Sequence, residues 1–432
     1  MNRRLTWGGL VLSSGRYYAR FHLSVLLGAA VATAVLVGAL LVGDSVDRSL
    51  RRLAGQRLGR VRFALDARPR SFGDRWAEAA GEDWNGVLSA VLSLDGSMVR
   101  RHLATGEARR VNRIQVRGIG PEFGKLAPRA APVPDRGEVL LNEKLAAALE
   151  AEPGDVVSLR VARPSPLPRE ALLSPRGQAL TTEVALRVGG IVTARQLGRF
   201  DLSANQIAPY NAFVARDWLQ DRVGRPGRSN LLLAGGGSPA ANVSRERLER
   251  ALDVHWRIED AGLHLSAAPG TRTAQLSSER IFLSADVGRA AMAVPGVTAA
   301  GSFAYMVNRI ARVDDATKST PYSFVLAVQP AASDLSPLPA TMQDGEIAIN
   351  RWLADELDAS EGDGLRMRYY VMQPGGGLIE TQRTFTVRAV VPMDRAERER
   401  RWIPEFPGLT DVDSCRNWDV GMPMDEAALR DP

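Results

Sequence analysis

The longest uninterrupted hydrophobic stretch of the chain lies near its N-terminus. Residues 23–43 read LSVLLGAAVATAVLVGALLVG and carry no ionisable side chain. As an α-helix the stretch rises about 1.5 Å per residue, enough to cross a hydrocarbon core of about 30 Å. In lipid the backbone must satisfy its hydrogen bonds within the segment, so a helix is expected despite the valines. The pattern predicts a transmembrane helix that is retained, because the apolar region of a cleaved signal peptide is shorter.

Small residues recur at intervals of four along this predicted helix. Ala30, Ala34 and Gly38 form one stripe, and Gly28 with Ala32 forms part of another. Such stripes let a second helix approach closely in a membrane. A lone anchor does not need them, yet Ala and Gly are also common in membrane helices generally. A helix-packing stripe and simple membrane composition therefore remain two open interpretations.

The charges that flank the helix leave its orientation ambiguous by count alone. Four arginines precede it and four follow it: Arg3, Arg4, Arg16, Arg20 and then Arg48, Arg51, Arg52, Arg57. Asp44 and Asp47 stand at its exit, and the positive-inside rule weakens for long translocated domains. We therefore expect a cytoplasmic N-terminus and an extracytoplasmic, periplasmic bulk, with the helix in a bacterial inner membrane.

The part after the helix contains an internal repeat. Residues 137–161 return as residues 345–369, with ten of 25 aligned positions identical. The signature pairs are Gly137/Gly345, Asn142/Asn350, Gly154/Gly362 and Asp155/Asp363. Each copy predicts a strand, an Asn helix cap, a short helix, a Gly-Asp turn and an alternating strand. Residues 185–192 and 384–391 then match as a closing strand.

Together these patterns predict an α+β fold with one N-terminal transmembrane helix and a duplicated extracytoplasmic region. The predicted boundaries are a cytoplasmic flank at 1–22, the transmembrane helix at 23–43 and a loop-rich tail at 396–432, with the duplicated region between the helix and the tail. The glycine runs 235–237 and 375–377 are interpreted as hairpin tips.

No counterpart of the first copy's residues 209–235 is recognisable after residue 400. The sequence therefore predicts an unfinished second unit, in a chain that is the N-terminal part of a longer protein.

Composition narrows the class of protein. The 432 residues are 45% hydrophobic and 24% charged, with a net charge of +6, which excludes a wholly disordered chain and a bundle of many membrane helices. The basic excess is spread along the chain as arginine, so a nucleic-acid partner is not expected. The single cysteine, Cys415, cannot form an internal disulfide.

Motifs of catalysis are missing from the sequence. It contains no phosphate-binding G-x-x-x-x-G-K-[ST] loop, G-x-S-x-G, H-E-x-x-H or C-x-x-C. His22, His102, His255 and His264 share no metal-ligand spacing. Asp411, Asp413, Asn417 and Asp419 faintly resemble an oxygen-ligand loop but lack the glycine and the distal glutamate of a calcium site. We expect no enzyme activity, no catalytic residue, no cofactor and no metal.

The order of the motifs resembles a known family. GRYYARFHLSVLLG, LLVGDSVDRSLRR, VRGIGPEFGKLAP, GEVLLNEKLAAALEAEPGD, LRVGGIV and NAFVARDWLQ together resemble the FtsX/MacB-like permeases of ABC transporters. The resemblance implies a first transmembrane helix and a MacB-like core domain, in which a small β-rich lobe is inserted into a porter-like α/β lobe. The implied boundaries are a first α/β lobe at 44–115 and 194–280, a first inserted β-rich lobe at 116–193, the start of a second α/β lobe at 281–325 and a second β-rich lobe at 326–395. It also implies a separate ABC-type ATPase, a second permease copy and a lipoprotein or outer-membrane partner. The family's three later helices are not found in these residues, so the resemblance is to a truncated permease.

Two functions follow as hypotheses. The first is a membrane permease component that transmits ATP-driven motion of a separate ATPase to the extracytoplasmic domain, for lipoprotein release or efflux. The alternative is a single-span, membrane-anchored adaptor or sensor without transport activity. An anchored hydrolase has no nucleophile constellation to support it.

Overall fold

The structure is a computed structural model that describes most of the chain. It covers residues 6–425 apart from 85, 103–105, 165–180, 204–206, 237–243, 268–272, 329–337, 339–340, 374–376, 395–401, 407–408, 411, 413, 415–416 and 419–423. Residues 165–180 of the first copy and most of the predicted tail therefore lie outside the described residues.

Two helices open the chain. In α1 (Trp7–Tyr17) the Thr6 side chain accepts a hydrogen bond from the Gly9 amide, which caps the first turn. After Tyr18 follows α2 (Ala19–Leu58), a continuous helix of 40 residues that contains the whole apolar stretch. Within the described ranges it is the single helix long and apolar enough to cross a membrane, with a mean hydropathy of 2.6 over its most apolar window.

The chain then forms a β-rich region, which we call the first unit (residues 61–255). Its elements are β1 (Val61–Asp66), β2 (Phe72–Gly73), α3 (Arg75–Trp84), β3 (Val87–Arg101), β4 (Ala108–Ile119), α4 (Pro121–Lys125), β5 (Glu138–Asn142), α5 (Glu143–Leu149), β6 (Val156–Ala162), β7 (Thr181–Val192), β8 (Asn211–Ala215), α6 (Arg216–Arg222), β9 (Arg228–Ser229), β10 (Leu231–Gly235) and α7 (Arg245–His255).

The long strand β3 belongs to two parts of one sheet. Its first residues, from Val87 to Val91, pair with β10, which in turn pairs with β1. Its later residues, from Gly96 to Arg100, pair with β6. The strand order β3-β4-β8-β5-β7-β6 therefore returns to β3 and closes a six-stranded barrel. Closure removes the free edges that an open sheet would expose.

Apolar side chains fill this barrel and the layers around it. Alternate residues of the strands point inward, so Met98, Ile114, Leu141, Leu159 and Val188 are almost completely buried together. In a second hydrophobic cluster, α4 and the segment after β7 pack around three aromatic rings. Phe123 lies 5.7 Å from both Phe200 and Phe213, measured between ring centroids.

A second unit (residues 285–391) follows a short ribbon. The ribbon is formed by β11 (Leu263–Ala267) and β12 (Ala274–Ser278). The second unit contains α8 (Ala285–Met292), β13 (Ser302–Arg312), β14 (Ser319–Val328), β15 (Glu346–Asn350), α9 (Arg351–Leu357), β16 (Gly364–Met372) and β17 (Leu378–Val391), and its sheet order is β14-β13-β16-β17-β15.

The two units have the same strand pairing, including a register shift at equivalent positions. Strand β5 pairs in parallel with β7, with a register shift after Val139, and β15 pairs in parallel with β17, with a shift after Ile347. In the first unit the β3–β4 hairpin is bulged at Arg113, a non-glycine residue with a positive φ of 56°. Tyr322 in the first hairpin of the second unit also has a positive φ, 42°, but the register between β13 and β14 does not shift there. The duplication is thus present in the backbone as well as in the sequence.

The units differ at one position of the sheet. In the first unit β8 lies between β4 and β5 and pairs with both. Among the described residues no strand pairs with the corresponding edges of β14 and β15. The second sheet is therefore open in the described part of the chain, where the first is a closed barrel.

Most local predictions are confirmed and one is wrong. Asn142 and Asn350 cap α5 and α9, as the repeat predicts. Gly235, however, is the last residue of the buried strand β10 and is not at a hairpin tip. A side chain there would meet the Arg60 carbonyl oxygen at 2.3 Å, so close strand packing explains this glycine.

Candidate functional site

The candidate site is the junction at which α2 enters the first unit. Helix α2 extends 15 residues beyond Gly43, the last residue of the apolar stretch, and ends at Leu58. At about 1.5 Å per residue this extension projects about 22 Å past the apolar stretch. Strand β1 begins at Val61, so only Gly59 and Arg60 separate the helix from the sheet. A membrane helix therefore continues into the sheet with almost no intervening loop.

Gly59 fits the junction because it has no side chain. Its φ of 58° is in the left-handed region, which suits a residue that ends a helix. A Cβ atom there would lie 2.7 Å from the Leu126 carbonyl oxygen and 2.8 Å from the Leu197 side chain. The Gly59 amide donates to the Gly55 carbonyl and the Arg60 amide donates to the Leu126 carbonyl, both at or below 2.9 Å. The chain thus turns from helix to strand while held directly against α4.

Side chains at the end of α2 fix the same junction. Leu58 packs against the cluster that contains Leu126, Leu197 and Phe200. Arg57 donates to two backbone carbonyls, those of Ser203 (3.2 Å) and Ile207 (3.4 Å). The last turn of α2 is therefore attached to the segment that connects β7 with β8.

The buried Arg117 supports that connecting segment from within. It donates from Nη2 to the Phe200 carbonyl (3.3 Å) and to Gln115, and from Nη1 to Ser93 Oγ (3.4 Å). Its guanidinium lies 4.7 Å from the centroid of the Phe200 ring. Burial lowers the pKa of Arg117 to about 10, against the opposing influence of Asp201, so the side chain is still protonated at neutral pH.

The small-residue stripes lie on α2 with no neighbour in the described structure. Ala30, Ala34, Gly28 and Ala32 are exposed and Gly38 is half-buried. No atom would lie within 4 Å of a Cβ at Gly28 or Gly38. The structure thus leaves both stripes open, and their role in helix packing stays a prediction.

The repeat signature residues shape matching turns. Asn142 and Asn350 cap α5 and α9, and Gly154 and Gly362 have φ values of 99° and 94°. The carboxylate of Asp155 accepts from the Glu152 amide at 2.8 Å, and that of Asp363 accepts from the Ser360 amide at 2.7 Å. Gly137 and Gly345 precede β5 and β15 with φ of 87° and 86°. These residues determine the backbone conformation of the turns and do not converge on a pocket.

The described residues contain no group of three or more His, Cys, Asp or Glu side chains arranged to hold a metal ion. Asp411, Asp413 and Asp419 lie outside the described residues, so the structure does not test that candidate loop. Nothing in the sequence pointed to the junction itself. Its signals, a glycine after a long helix and a phenylalanine after β7, are common in any chain.

Comparison with known proteins gives structural similarities only. No protein-family model and no curated protein sequence matches the chain. Similarities to solved structures are found at low sequence identity. One is the periplasmic region of MacB from Actinobacillus actinomycetemcomitans, at 11% identity and a TM-score of 0.29, covering 54% of this chain and 92% of that one.

Another is the extracellular domain of the noncanonic ABC-type transporter YknZ from Gram-positive bacteria, at 14% identity and a TM-score of 0.25. It covers 44% of this chain and 88% of that one. At these identities and TM-scores neither similarity assigns a function to this chain.

Proposed function

We propose that the chain is the membrane permease component of an ABC transporter, of the lipoprotein-release or efflux type. In this role it transmits the ATP-driven motion of a separate ATPase subunit to the extracytoplasmic units. The observation that carries the proposal is the two-residue junction between α2 and β1. A helix that only anchors a domain functions equally well through a flexible linker, whereas force is transmitted only through a stiff connection.

The junction has the properties of such a stiff connection. The amides of Gly59 and Arg60 each donate a hydrogen bond to a backbone carbonyl. Leu58 packs against the hydrophobic cluster beside α4. Arg57 adds two hydrogen bonds to the β7–β8 connection. Tilting of α2 therefore moves β1 and the β7–β8 connection together instead of being absorbed by a hinge. The order of motifs that resembles FtsX/MacB-like permeases supports the same function.

The proposal includes two states of the external units that differ in their affinity for a substrate. It also includes a second permease copy, whose membrane helices pack on the small-residue stripes, and a bacterial inner membrane with the N-terminus in the cytoplasm. No residue of the chain acts as a catalyst in this mechanism. The ATPase subunit supplies the energy, and the chain supplies the path from the membrane to the outside.

Affinity purification of the tagged chain from cross-linked native membranes tests the partner. We expect an ABC-type ATPase among the recovered proteins. Hydrogen exchange of the first unit should then differ between the nucleotide-free complex and the complex trapped with ATP and vanadate. Recovery of no ATPase would replace this proposal with the adaptor or sensor alternative.

A linker insertion tests transmission itself. Four residues, Gly-Ser-Gly-Ser, are inserted between Leu58 and Gly59, and the control variant carries the same insertion after Gly106, in the β3–β4 connection. The junction insertion should keep the ATPase bound but abolish the nucleotide-dependent change in the first unit, while the control retains it. An unchanged response in the junction variant would contradict the mechanism.

Topology is tested separately with cysteine labelling. In a Cys415→Ser background, Trp7→Cys and Arg289→Cys each introduce one thiol. Trp7 is 88% exposed, and the Arg289 side chain is also exposed. The outer envelope of the cells is permeabilised and the inner membrane is left intact. A membrane-impermeant maleimide should then label only the Arg289→Cys protein. Labelling of Trp7→Cys alone would reverse the orientation.

A further inference from the structure

A small cavity beside the β11–β12 ribbon is lined by an excess of positive charge. Arginines come from three places in the chain: Arg70 before β2, Arg225 and Arg228 around the start of β9, and Arg280 after β12. Glu279 is the one carboxylate among the lining residues that the structure describes. The described lining residues thus include four arginines and one glutamate, which together carry a formal charge of +3 around a confined space.

The cavity is of the size of a small anion. Its volume is about 40 Å³, and about 10–15 Å³ of such volume is enough for one water molecule. It therefore holds about three waters or one tetrahedral oxyanion. Pro69, Leu92 and Ala261 supply apolar parts of the wall. Such walls lower the local dielectric and strengthen any charge interaction inside.

Two of the arginines are held in place before any ligand binds. Arg228 donates to the Ser71 carbonyl (3.0 Å) and to the Glu259 carbonyl (2.8 Å), and its side chain is 16% exposed. Glu279 accepts from Arg228 at 3.0 Å and from Arg225 at 3.4 Å. One carboxylate therefore compensates two partly buried cations, which leaves a charge that is costly to keep away from water or a counter-ion.

The other two arginines have no ion-pair partner in the part of the chain that the structure describes. The backbone amide of Arg70 donates to the Ala67 carbonyl, and that of Arg280 donates to Ser278 Oγ. The guanidinium groups of these two arginines make no ion pair with the described residues. Guanidinium groups are planar forks that bind carboxylate and phosphate oxygens in pairs. The arrangement thus combines fixed donors with donors that are available to a ligand.

We propose that this cavity binds a phosphate group. The proposal does not depend on the transport function. The phosphate belongs either to free inorganic phosphate or to a phospholipid headgroup, and the bound anion would hold the ribbon, and with it the start of the second unit, against the β2–β9 pair of the first unit. Glu279 orients Arg225 and Arg228 while its own charge opposes the anion.

Isothermal titration of the full-length chain in neutral detergent with sodium phosphate tests the site. Saturable binding is expected for the wild type, and chloride at the same ionic strength should give none. The double variant Arg70→Gln/Arg280→Gln should bind at least tenfold more weakly. Arg289→Gln, on an exposed side chain of α8, removes the same kind of charge elsewhere and should bind as the wild type does.

A change of the opposite sign separates a specific site from general charge. Glu279→Gln removes the opposing carboxylate and should tighten phosphate binding several-fold. If this variant unfolds, as judged by circular dichroism, the comparison of the arginine double variant with Arg289→Gln decides alone. Absence of saturable binding to the wild type, or equal weakening by the double variant and by Arg289→Gln, would overturn the proposal.

The source of the phosphate is resolved by a second titrant, a short-chain, water-soluble phosphatidylglycerol. Tighter binding of this lipid than of inorganic phosphate identifies a headgroup site, and weaker binding identifies a site for the free ion. Either result supports the phosphate site only if the Arg70→Gln/Arg280→Gln variant loses that binding as well.

Discussion

Asn142 and Asn350 cap equivalent helices in the two units with the same hydrogen bond. Asn142 Oδ1 accepts from the Leu145 amide at 3.0 Å, and Asn350 Oδ1 accepts from the Leu353 amide at 2.8 Å. The two residues differ in what their amide groups do. Asn142 Nδ2 also donates to the carbonyls of Gly198 (3.0 Å) and Pro209 (2.8 Å), so it ties α5 to the β7–β8 connection. No such bond is made by Asn350 to the described residues.

Alanine at these two positions should therefore have unequal effects. Asn350→Ala removes a cap alone and should cost about 1 kcal/mol of local stability. Asn142→Ala also removes the Asn142 donor from the Pro209 carbonyl, while the Gly198 carbonyl keeps a second donor, Asn211 Nδ2 at 3.1 Å, so the substitution should cost about 2–4 kcal/mol. Hydrogen-exchange mass spectrometry of α5 and α9 measures both changes. Equal effects of the two substitutions would show that the additional bonds of Asn142 contribute nothing.

The residues that end these helices are strained in the same way. Glu150 and Asp358 both have a φ of 50°, a left-handed conformation that non-glycine residues rarely adopt. Glu150→Gly and Asp358→Gly should each relieve this strain and stabilise the helix end by about 0.5–1 kcal/mol, after the loss of one exposed ion pair.

The nearby glycines provide the matched control. Gly154→Ala and Gly362→Ala place a side chain at φ of 99° and 94°, so both should destabilise the turn that follows. Exchange rates of the amides in α5 and α9 report all four variants. Stabilisation by alanine at Gly154 or Gly362 would contradict the role of backbone conformation.

These repeated turns are the part of the fold that the sequence could predict. An Asn before a short apolar helix and a Gly-Asp pair after it are local signals, since each acts on residues within one or two turns. The apolar stretch within α2 is local in the same sense. The α+β class, the succession of strand, helix and strand along each copy and the duplication could all be recognised from such signals.

The junction and the barrel could not be predicted in that way. Closure of the barrel depends on β3 pairing with β6, about 60 residues later in the chain. Arg117 stands in an alternating strand, and nothing near it in the sequence shows that it is buried under Phe200. The fit of Gly59 depends on Leu126 and Leu197. These contacts join distant residues, so single-sequence patterns do not contain them.

An acid-sensitive ion pair in the second unit gives a prediction for pH. Arg312 donates to both carboxylate oxygens of Asp314, at 2.8 and 2.6 Å, and these hydrogen bonds lower the pKa of Asp314 to about 2. Because the pKa is lower in the folded state, the pair stabilises the fold above about pH 4, and this contribution is lost as the pH falls toward 2. The free-energy difference between wild type and Asp314→Asn should shrink over that range.

Urea denaturation at a series of pH values between 6 and 2.5 measures this difference. In an Arg312→Gln background the donor is gone, so most of the pH dependence of the Asp314→Asn effect should disappear. A difference that stays constant down to pH 2.5 would mean that Asp314 keeps its ordinary pKa in the folded chain.

The uncovered stripe on α2 gives the last prediction. Larger side chains at Ala34 and Gly38 would hold a neighbouring helix several ångströms away and remove the close contacts on which packing in lipid depends. If α2 pairs with a second copy of the chain as proposed, Ala34→Leu/Gly38→Leu should therefore reduce cross-linking between the two α2 helices at least tenfold. The control Ala29→Leu/Thr33→Leu also places two leucines four residues apart, but outside both stripes, and should leave cross-linking unchanged. Both proteins should still insert, because leucine is at least as apolar as the residues it replaces. Undiminished cross-linking of the Ala34→Leu/Gly38→Leu protein would reduce the stripe to ordinary membrane composition, and α2 would then meet its partners through another face.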